Sequence, residues 1–278
     1  MPSDRPYPLR LPRHAVSPRQ VARAGDVWRL FQEAAVQASS DAGYPPSRYT
    51  EEQIAFIVGQ MTVEHHRELV YGEDVHAWTW IRRNLRGTIA QRELRLETPL
   101  GLLASASQRW VHVSMAGGVP RPCRGGPGVQ AAFAPTAGRD AVELRGPRAP
   151  ASCDGAPGHC LRFPVWHGWM DALGHVNHPV YIDWADEALR HWMAASGLDP
   201  QGLVPIWEDV RFRQAAVAGD AVRVETWAAP GLKGAVSLAH RVVREADDAL
   251  LAEIRSERRS IDGAGSLARA LGLRGVSG

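Results

Sequence analysis

The sequence predicts an α+β protein made of two tandem repeats, each an antiparallel sheet wrapped around one long helix, the two paired as an internal pseudo-dimer. Three observations carry this. Two amphipathic helical segments are each followed by a series of alternating, strand-like stretches. Landmarks recur at a nearly constant spacing: 146 residues from Asp74 to Asp220, 147 from Gly87 to Gly234 and 148 from Ala104 to Ala252. A long Gly/Pro-rich stretch separates the two copies.

In the first copy, Asp26 to Ser40 puts Val27, Leu30, Phe31, Ala34, Ala35 and Ala38 on one apolar stripe. Asp74 opens the period-2 alternation Val75 to Trp80, and Arg86-Gly87-Thr88-Ile89 turns the chain into another strand. Leu102 to Val113 closes the copy. From Met115 to about His159 the chain is dominated by Gly, Pro, Ala and Arg. Such composition breaks helices and central strands, so it reads as linker, with one short element near Val129 to Ala134 docking on a domain.

The second copy repeats the scheme. Pro179 to Met193 is a helix with Val180, Tyr181, Trp184, Ala185, Ala188, Leu189, Trp192 and Met193 on its apolar face and Asp183, Asp186, Glu187 and Arg190 opposite. Asn177 suits the N-cap, Pro179 the first turn and Gly197 the stop. Glycine follows a helix glutamate by ten residues in both copies, Glu33/Gly43 and Glu187/Gly197. Ala221 to Thr226, the turn at Lys233-Gly234 and Leu250 to Ile261 complete the parallel. The expected organisation is a first repeat over 1–114, a linker over 115–160, a second repeat over 161–263 and a frayed tail over 264–278.

Composition narrows the function. With 45% apolar and 22% charged residues the chain is an ordinary globular one. A net charge of +2 and dispersed arginines argue against nucleic acid. No apolar run suits a signal peptide or a membrane span. The three cysteines, Cys123, Cys153 and Cys160, fall in the expected linker and form no disulfide framework, which points to a reducing cytoplasm. Cys153, His159 and Cys160 lack a second ligand pair, and His65-His66 a third ligand, so no metal is expected. No phosphate loop, dinucleotide fingerprint or Gly-x-Ser-x-Gly elbow occurs, and no cofactor is expected.

Chemistry concentrates in Trp166 to Tyr181. Asp171 and His175 lie in a Gly-containing turn that feeds into the helix N-terminus. Backbone N–H groups and the helix dipole there can bind an oxygen gaining negative charge, while a carboxylate just upstream acts as general base or nucleophile. His175 would orient it, position water or protonate a leaving group. The same residues also suit a backbone cap and a packed histidine. Glu64 to Glu68 form an unusually polar stretch in the first copy, which equally suits an exposed edge strand. Trp184 and Trp192 read as core, whereas Trp166, Trp169 and Trp207 are placed to line a tunnel.

Asp171-x-x-Gly174-His175-Val176-Asn177, Tyr181, the Trp184-x-x-Glu187 helix and the Ala218-Gly219-Asp220 turn together resemble the hot-dog thioesterases of the 4-hydroxybenzoyl-CoA thioesterase type. The tandem layout is similar to that of acyl-ACP thioesterases, which are double hot-dog proteins. The resemblance covers 163–262 well, 20–114 loosely and the linker not at all. It implies that Asp171 is the catalytic carboxylate assisted by His175, that Gly174, Asn177 and His178 hold substrate, and that N–H groups near His178 polarise the thioester carbonyl. Leu173 departs from plant-type acyl-ACP thioesterases, which have Asn there. So do Gln214 and Ala215, where those enzymes carry an acid or cysteine. An Asp-centred mechanism with Gln214 as polar helper fits better.

Ser17 to Ala24, upstream of the first helix, contains no Asp-x-x-Gly-His, so one active centre per chain is expected. Glu68 aligns with Ala215 and would supply the missing acid across the interface between repeats. The implied function is hydrolysis of fatty acyl thioesters of acyl carrier protein or coenzyme A. The alternatives are an acyl-thioester-binding protein without turnover, and a dehydratase or hydratase on the same fold. Further self-association is left open.

Overall fold

The computed structural model describes residues 5–146, 151–263 and 265–273. The chain divides into two compact units: Val27–Leu144 with the chain up to Ala15, and Val16–Asp26 with the chain from Arg145 onward. The first contains β1 (Tyr7–Arg10), the long helix α1 (Ala24–Asp41), α2 (Pro46–Glu51), β2 (Ile54–His65), β3 (Asp74–Leu85), β4 (Ile89–Thr98) and β5 (Gly101–Ser114). The short β6 (Arg121–Pro122) and α3 (Pro127–Ala132) follow. The second contains β7 (His159–Pro164), the long helix α4 (Val180–Ala195), β8 (Leu203–Phe212), β9 (Ala221–Pro230), β10 (Val236–Arg244), β11 (Leu250–Ser260) and α5 (Ser266–Ala270).

The strands run in the order β1-β3-β4-β5-β2 in the first unit and β7-β9-β10-β11-β8 in the second, with every pairing antiparallel. This is one connectivity used twice. The likeness reaches irregular features. β2 skips Gly59 between Val58 and Gln60 opposite Trp110 and Arg109, and β8 skips Ile206 between Pro205 and Trp207 opposite Arg258 and Glu257. Each is a β-bulge, an extra residue that bends its strand. The β3–β4 turn has positive φ at Arg86 (56°) and Gly87 (74°), and the β9–β10 turn has it at Lys233 (52°) and Gly234 (74°). Val75, Ala77, Thr79 and Trp80 are buried on β3 as Val222, Val224, Thr226 and Trp227 are on β9.

Each long helix is amphipathic and packs its apolar face on the sheet, which buries the stripe. α4 lies on β7, β9 and β11 and buries Trp184, Ala188, Leu189 and Met193. Both helices end where Gly43 (φ 86°) and Gly197 (φ 77°) adopt the left-handed conformation that glycine reaches without strain. Trp28, absent from the expected stripe of α1, is fully buried, while Ala38 is only half-buried. The curved sheet covers more of the helix than one stripe. Asp186, assigned to the polar face of α4, is also buried, because Arg258 of β11 reaches it.

Other expectations need correction. The Gly/Pro-rich stretch holds more than the one short element expected near Val129 to Ala134: that element is α3, which starts at Pro127 and Gly128 where proline's fixed φ suits a first turn, and β6 also pairs with the end of β5. Phe133, just after α3, is 1% exposed and packs on Phe56. Cys160 lies in β7 rather than in a linker. The stretch after Gly263 is not all frayed, since Leu267, Ala268 and Leu271 join Leu189, Met193, Leu203, Val236 and Leu238 in one apolar cluster. Glu64 and His65 end β2, but His66, Arg67 and Glu68 lie in the following loop. The N-cap position of α4 is Pro179, and Asn177 contributes its backbone carbonyl to Val180 N–H (3.0 Å). No described helix is long and apolar enough to cross a membrane.

Candidate functional site

After β7, a one-turn 3₁₀ segment (His167–Trp169) leads into a tight turn closed by a bridge between Met170 and Val176. Asp171 N–H donates to His175 O (2.8 Å) and Gly174 N–H to Asp171 O (3.1 Å). Gly174, at φ 77°, takes the left-handed position this turn requires. Asp171 Oδ1 accepts from Leu173 N–H at 2.8 Å, the expected capping bond, and lies 3.4 Å from His175 Nδ1. Among the described residues Asp171 Oδ2 has no partner. His175 Nδ1 is also 3.3 Å from Val176 O. Two oxygen acceptors at Nδ1 favour a proton there and leave Nε2 as the basic nitrogen of the neutral ring. Both side chains are about one-fifth exposed, so the pair is held in place yet open to solvent.

The turn is anchored on three sides. Asn177 N–H donates to Trp169 O (2.9 Å) and Val176 N–H to Ala216 O (2.9 Å). Ala216 N–H donates to the hydroxyl of Tyr181, on the first turn of α4 (3.1 Å). Burial pushes the Tyr181 phenol up to about 12, so it stays neutral and can serve as this fixed partner. The β8–β9 turn is itself braced by Asp220, whose Oδ2 accepts from Val217 N–H and Arg244 Nε, while Arg244 Nη2 donates to Ala215 O. The sequence marks Asp220 as a repeat landmark and as part of the Ala218-Gly219-Asp220 turn, and gives no sign of Arg244. The carboxylate of that turn closes the loop beneath the motif.

Gly174, His175, Asn177 and His178 are thus brought onto one turn with Asp171, and the His178 ring meets the edge of Phe212 (6.1 Å). Gln214 is exposed on the neighbouring β8–β9 turn, with its N–H donated to Leu251 O. Glu68 belongs to the first unit, in a loop that Arg67 ties to Glu73 (3.0 Å) and Thr98. Trp166 and Trp169 stack at 4.8 Å beside the motif, and Trp169 meets Trp184 edge-on at 5.4 Å. Trp166 is 61% exposed. Trp207 is buried on β8 near Gly146 and is not in this cluster. Among the described residues no three His, Cys, Asp or Glu side chains gather as metal ligands. His159 instead stacks on Trp192.

The same turn is built a second time upstream of α1. Val16 bridges Ala22, Ser17 N–H donates to Val21 O (2.8 Å), Gln20 N–H donates to Ser17 O (2.9 Å), and Gln20 has φ 60°. Position for position, Ser17 stands for Asp171, Gln20 for Gly174 and Val21 for His175. Arg19 donates to the carbonyls of Gln201 (2.8 Å) and Leu203 (3.0 Å). The first repeat keeps the backbone and lacks the chemistry.

Residues 165–270 match the sequence profile of the thioesterase-like superfamily. No curated protein sequence matches the chain. Among solved structures, a protein assigned as an oleoyl thioesterase from Lactobacillus plantarum aligns with TM-score 0.74 and 18% identity, over 92% of this chain and 96% of that one. The 12:0-ACP thioesterase from Umbellularia californica aligns with TM-score 0.72 and 15% identity, over 91% and 96%. An acyl-ACP thioesterase from Bacteroides thetaiotaomicron aligns with TM-score 0.68 and 14% identity, over 91% and 96%. The chain has the tandem hot-dog fold of these proteins, and the stretch that resembles the thioesterase-like superfamily lies in its second repeat.

Proposed function

We propose that the protein is an acyl thioesterase that hydrolyses fatty acyl thioesters of acyl carrier protein or coenzyme A to free acid and thiol. The observation that carries this is the Asp171–His175 pair, fixed in a hydrogen-bonded turn immediately before α4. In this reading Asp171 Oδ2 either takes a proton from water as the water oxygen attacks the carbonyl carbon, or attacks it directly to give a mixed anhydride that water then hydrolyses to the free acid. The carbonyl oxygen gains charge near the N–H groups around His178 and the positive end of α4. The C–S bond then breaks, and the sulfur leaves as thiol after taking a proton. His175 orients the carboxylate through Nδ1 and moves a proton through Nε2. Gln214, on the neighbouring turn, supplies a polar contact. The acyl carrier in the names of two of the aligned thioesterases supports an ACP thioester as one candidate substrate.

The test is thiol release from a panel of acyl-CoA and acyl-ACP substrates, with wild type beside Asp171→Asn. Release by wild type and a loss of about 10³-fold in the variant are expected, in the range of general-base contributions. Near-normal activity in a folded Asp171→Asn protein overturns the mechanism. No release from any substrate overturns the activity and leaves acyl-thioester binding without turnover.

A further inference from the structure

Among its described residues, the first unit buries a cation without a counter-charge. Arg92 on β4 is 3% exposed. Its Nη1 donates to Thr79 Oγ1 (3.1 Å) and its Nη2 reaches Ser39 Oγ on α1 at 3.4 Å, both neutral oxygens. The guanidinium lies over Trp110 (4.7 Å), and its buried Nε has no hydrogen-bond partner. Burial lowers its pKa to about 10, so the group is still cationic at neutral pH. The titratable groups that act on it are two phenols, Tyr49 and Tyr7, with no carboxylate among them.

The neighbours are also short of acceptors. Gln108, the cross-strand partner of Arg92, accepts from Trp110 Nε1 with its Oε1 (2.9 Å) and points its Nε2 at the sulfur of Met61 (3.1 Å), a weak acceptor. The buried Tyr49 hydroxyl lies against Ser39 without a well-formed hydrogen bond, and Ser39 gives its own proton to Ala35 O (2.8 Å). A buried guanidinium without a counter-charge is unfavourable, because it has given up its hydration for no ionic partner.

The second unit solves the same problem internally. Arg258 is fully buried and faces Asp186 (2.9 Å) and Glu208 (2.6 Å). By strand register Glu208 occupies the place of Met61 and Arg258 that of Trp110. The first unit buries its arginine at a different place, Arg92 standing where the second unit has Leu238, and no acid faces it among the described residues.

We propose that the core of the first unit is a binding site for one carboxylate carried on an apolar body, with Arg92 as its counter-charge and Gln108 and Tyr49 as further donors. One cation among neutral donors matches a monoanion, and the planar guanidinium fork matches a carboxylate. The apolar body has an aromatic neighbourhood, in which Phe56 meets Trp110 (5.5 Å) and Phe133 (4.6 Å). The adaptable Met61 side chain lies next to the donors. This site stands independently of the Asp171 reading.

The experiment is calorimetric titration of the full chain with decanoate, 3-phenylpropanoate and decanamide, on wild type, Arg92→Met, Tyr49→Phe and Asp171→Asn. One of the two carboxylates should bind wild type and Asp171→Asn alike. Arg92→Met should weaken it about tenfold or more, and Tyr49→Phe about threefold, as expected for lost charge-assisted and neutral hydrogen bonds. Without ligand, Arg92→Met should melt higher than wild type. Tyr49→Phe keeps the cation, so it tests the site even where Arg92→Met fails to fold. The proposal is overturned by no carboxylate binding, by decanamide binding as tightly as decanoate, or by binding lost in Asp171→Asn and kept in Arg92→Met, which is the behaviour of a product at the motif.

Discussion

The turns at Met170–Val176 and Val16–Ala22 share a closing bridge, two internal hydrogen bonds and a left-handed residue at equivalent places. They differ in what their side chains can do. Asp171 and His175 pair at 3.4 Å, whereas Ser17 is buried with no hydrogen-bond partner for its hydroxyl and Val21 is apolar. The backbone turn therefore serves the fold in both repeats, by setting where the long helix begins. One copy carries an Asp–His pair and the other does not, with the same backbone in both. The largest expected effect tests this separation. Asp171→Asn should lower thiol release about 10³-fold, while Ser17→Ala changes it less than about twofold. Comparable losses in both variants would mean that the turn, and not the carboxylate, sets the rate.

A second contrast lies in the cores. Arg258 has two carboxylates and Arg92 has none among the described residues, so removing each charge should act with opposite sign. Arg258→Met removes the cation that faces buried Asp186 and Glu208, and should cost about 3–5 kcal/mol in urea unfolding. Arg92→Met removes a buried charge that no carboxylate faces among the described residues, and should stabilise the ligand-free protein. If both variants are destabilised alike, the first core is already neutralised and the contrast fails.

The fold was legible because its marks are local. Alternation gave β3, β5, β9 and β11, the segments at Gly87 and Gly234 gave the turns into the next strands, and two apolar stripes gave α1 and α4. What stayed hidden depended on partners distant in sequence. β1 and β7 are short, and only pairing with β3 and β9 makes them strands. Asp186 reads as a surface residue until Arg258, far along the chain, reaches it. Trp28 reads as off the stripe until a curved sheet covers that side too. In the candidate site the motif residues sit within a few positions of one another, so they were readable. Arg244, which braces the neighbouring turn, lies far along the chain from Asp171 and His175, belongs to no motif and left no local trace. The buried Arg92 looked like one more arginine of an alternating strand.

The pH dependence of stability offers a smaller test of the same core difference. His240 pairs across the sheet with Thr226, as Leu94 pairs with Thr79 in the first unit. Its Nδ1 is 3.0 Å from Thr226 Oγ1, and burial, aided by the charge of Arg258, lowers its pKa to about 3. Below about 6.5 the unfolded chain takes up a proton that the folded core refuses, so stability falls as pH drops from there toward 3. The slope from this one group is about 1.4 kcal/mol per pH unit. His240→Gln, which keeps a hydrogen-bonding side chain, should lose about 2 kcal/mol less than wild type between about pH 6 and 4. Equal slopes in denaturant titrations would show that His240 is protonated in the folded protein.

The smallest effect returns to the two turns. Gly174 and Gln20 hold equivalent left-handed positions, but only glycine does so without strain. A Cβ at Gly174 would meet nothing within 4 Å, so Gly174→Ala tests conformation alone. It should destabilise by about 1 kcal/mol and leave thiol release within a few-fold, because Gln20 shows that a side chain is tolerated at that place in the turn. Gln20→Gly should shift the melting temperature the other way by less, since relief of strain is partly offset by the greater freedom of glycine in the unfolded chain. Opposite signs, measured in one thermal series, are what equivalent backbones demand. Shifts of the same sign would mean that the two turns are alike only in outline, and that the Asp171 turn owes its geometry to its own side chains.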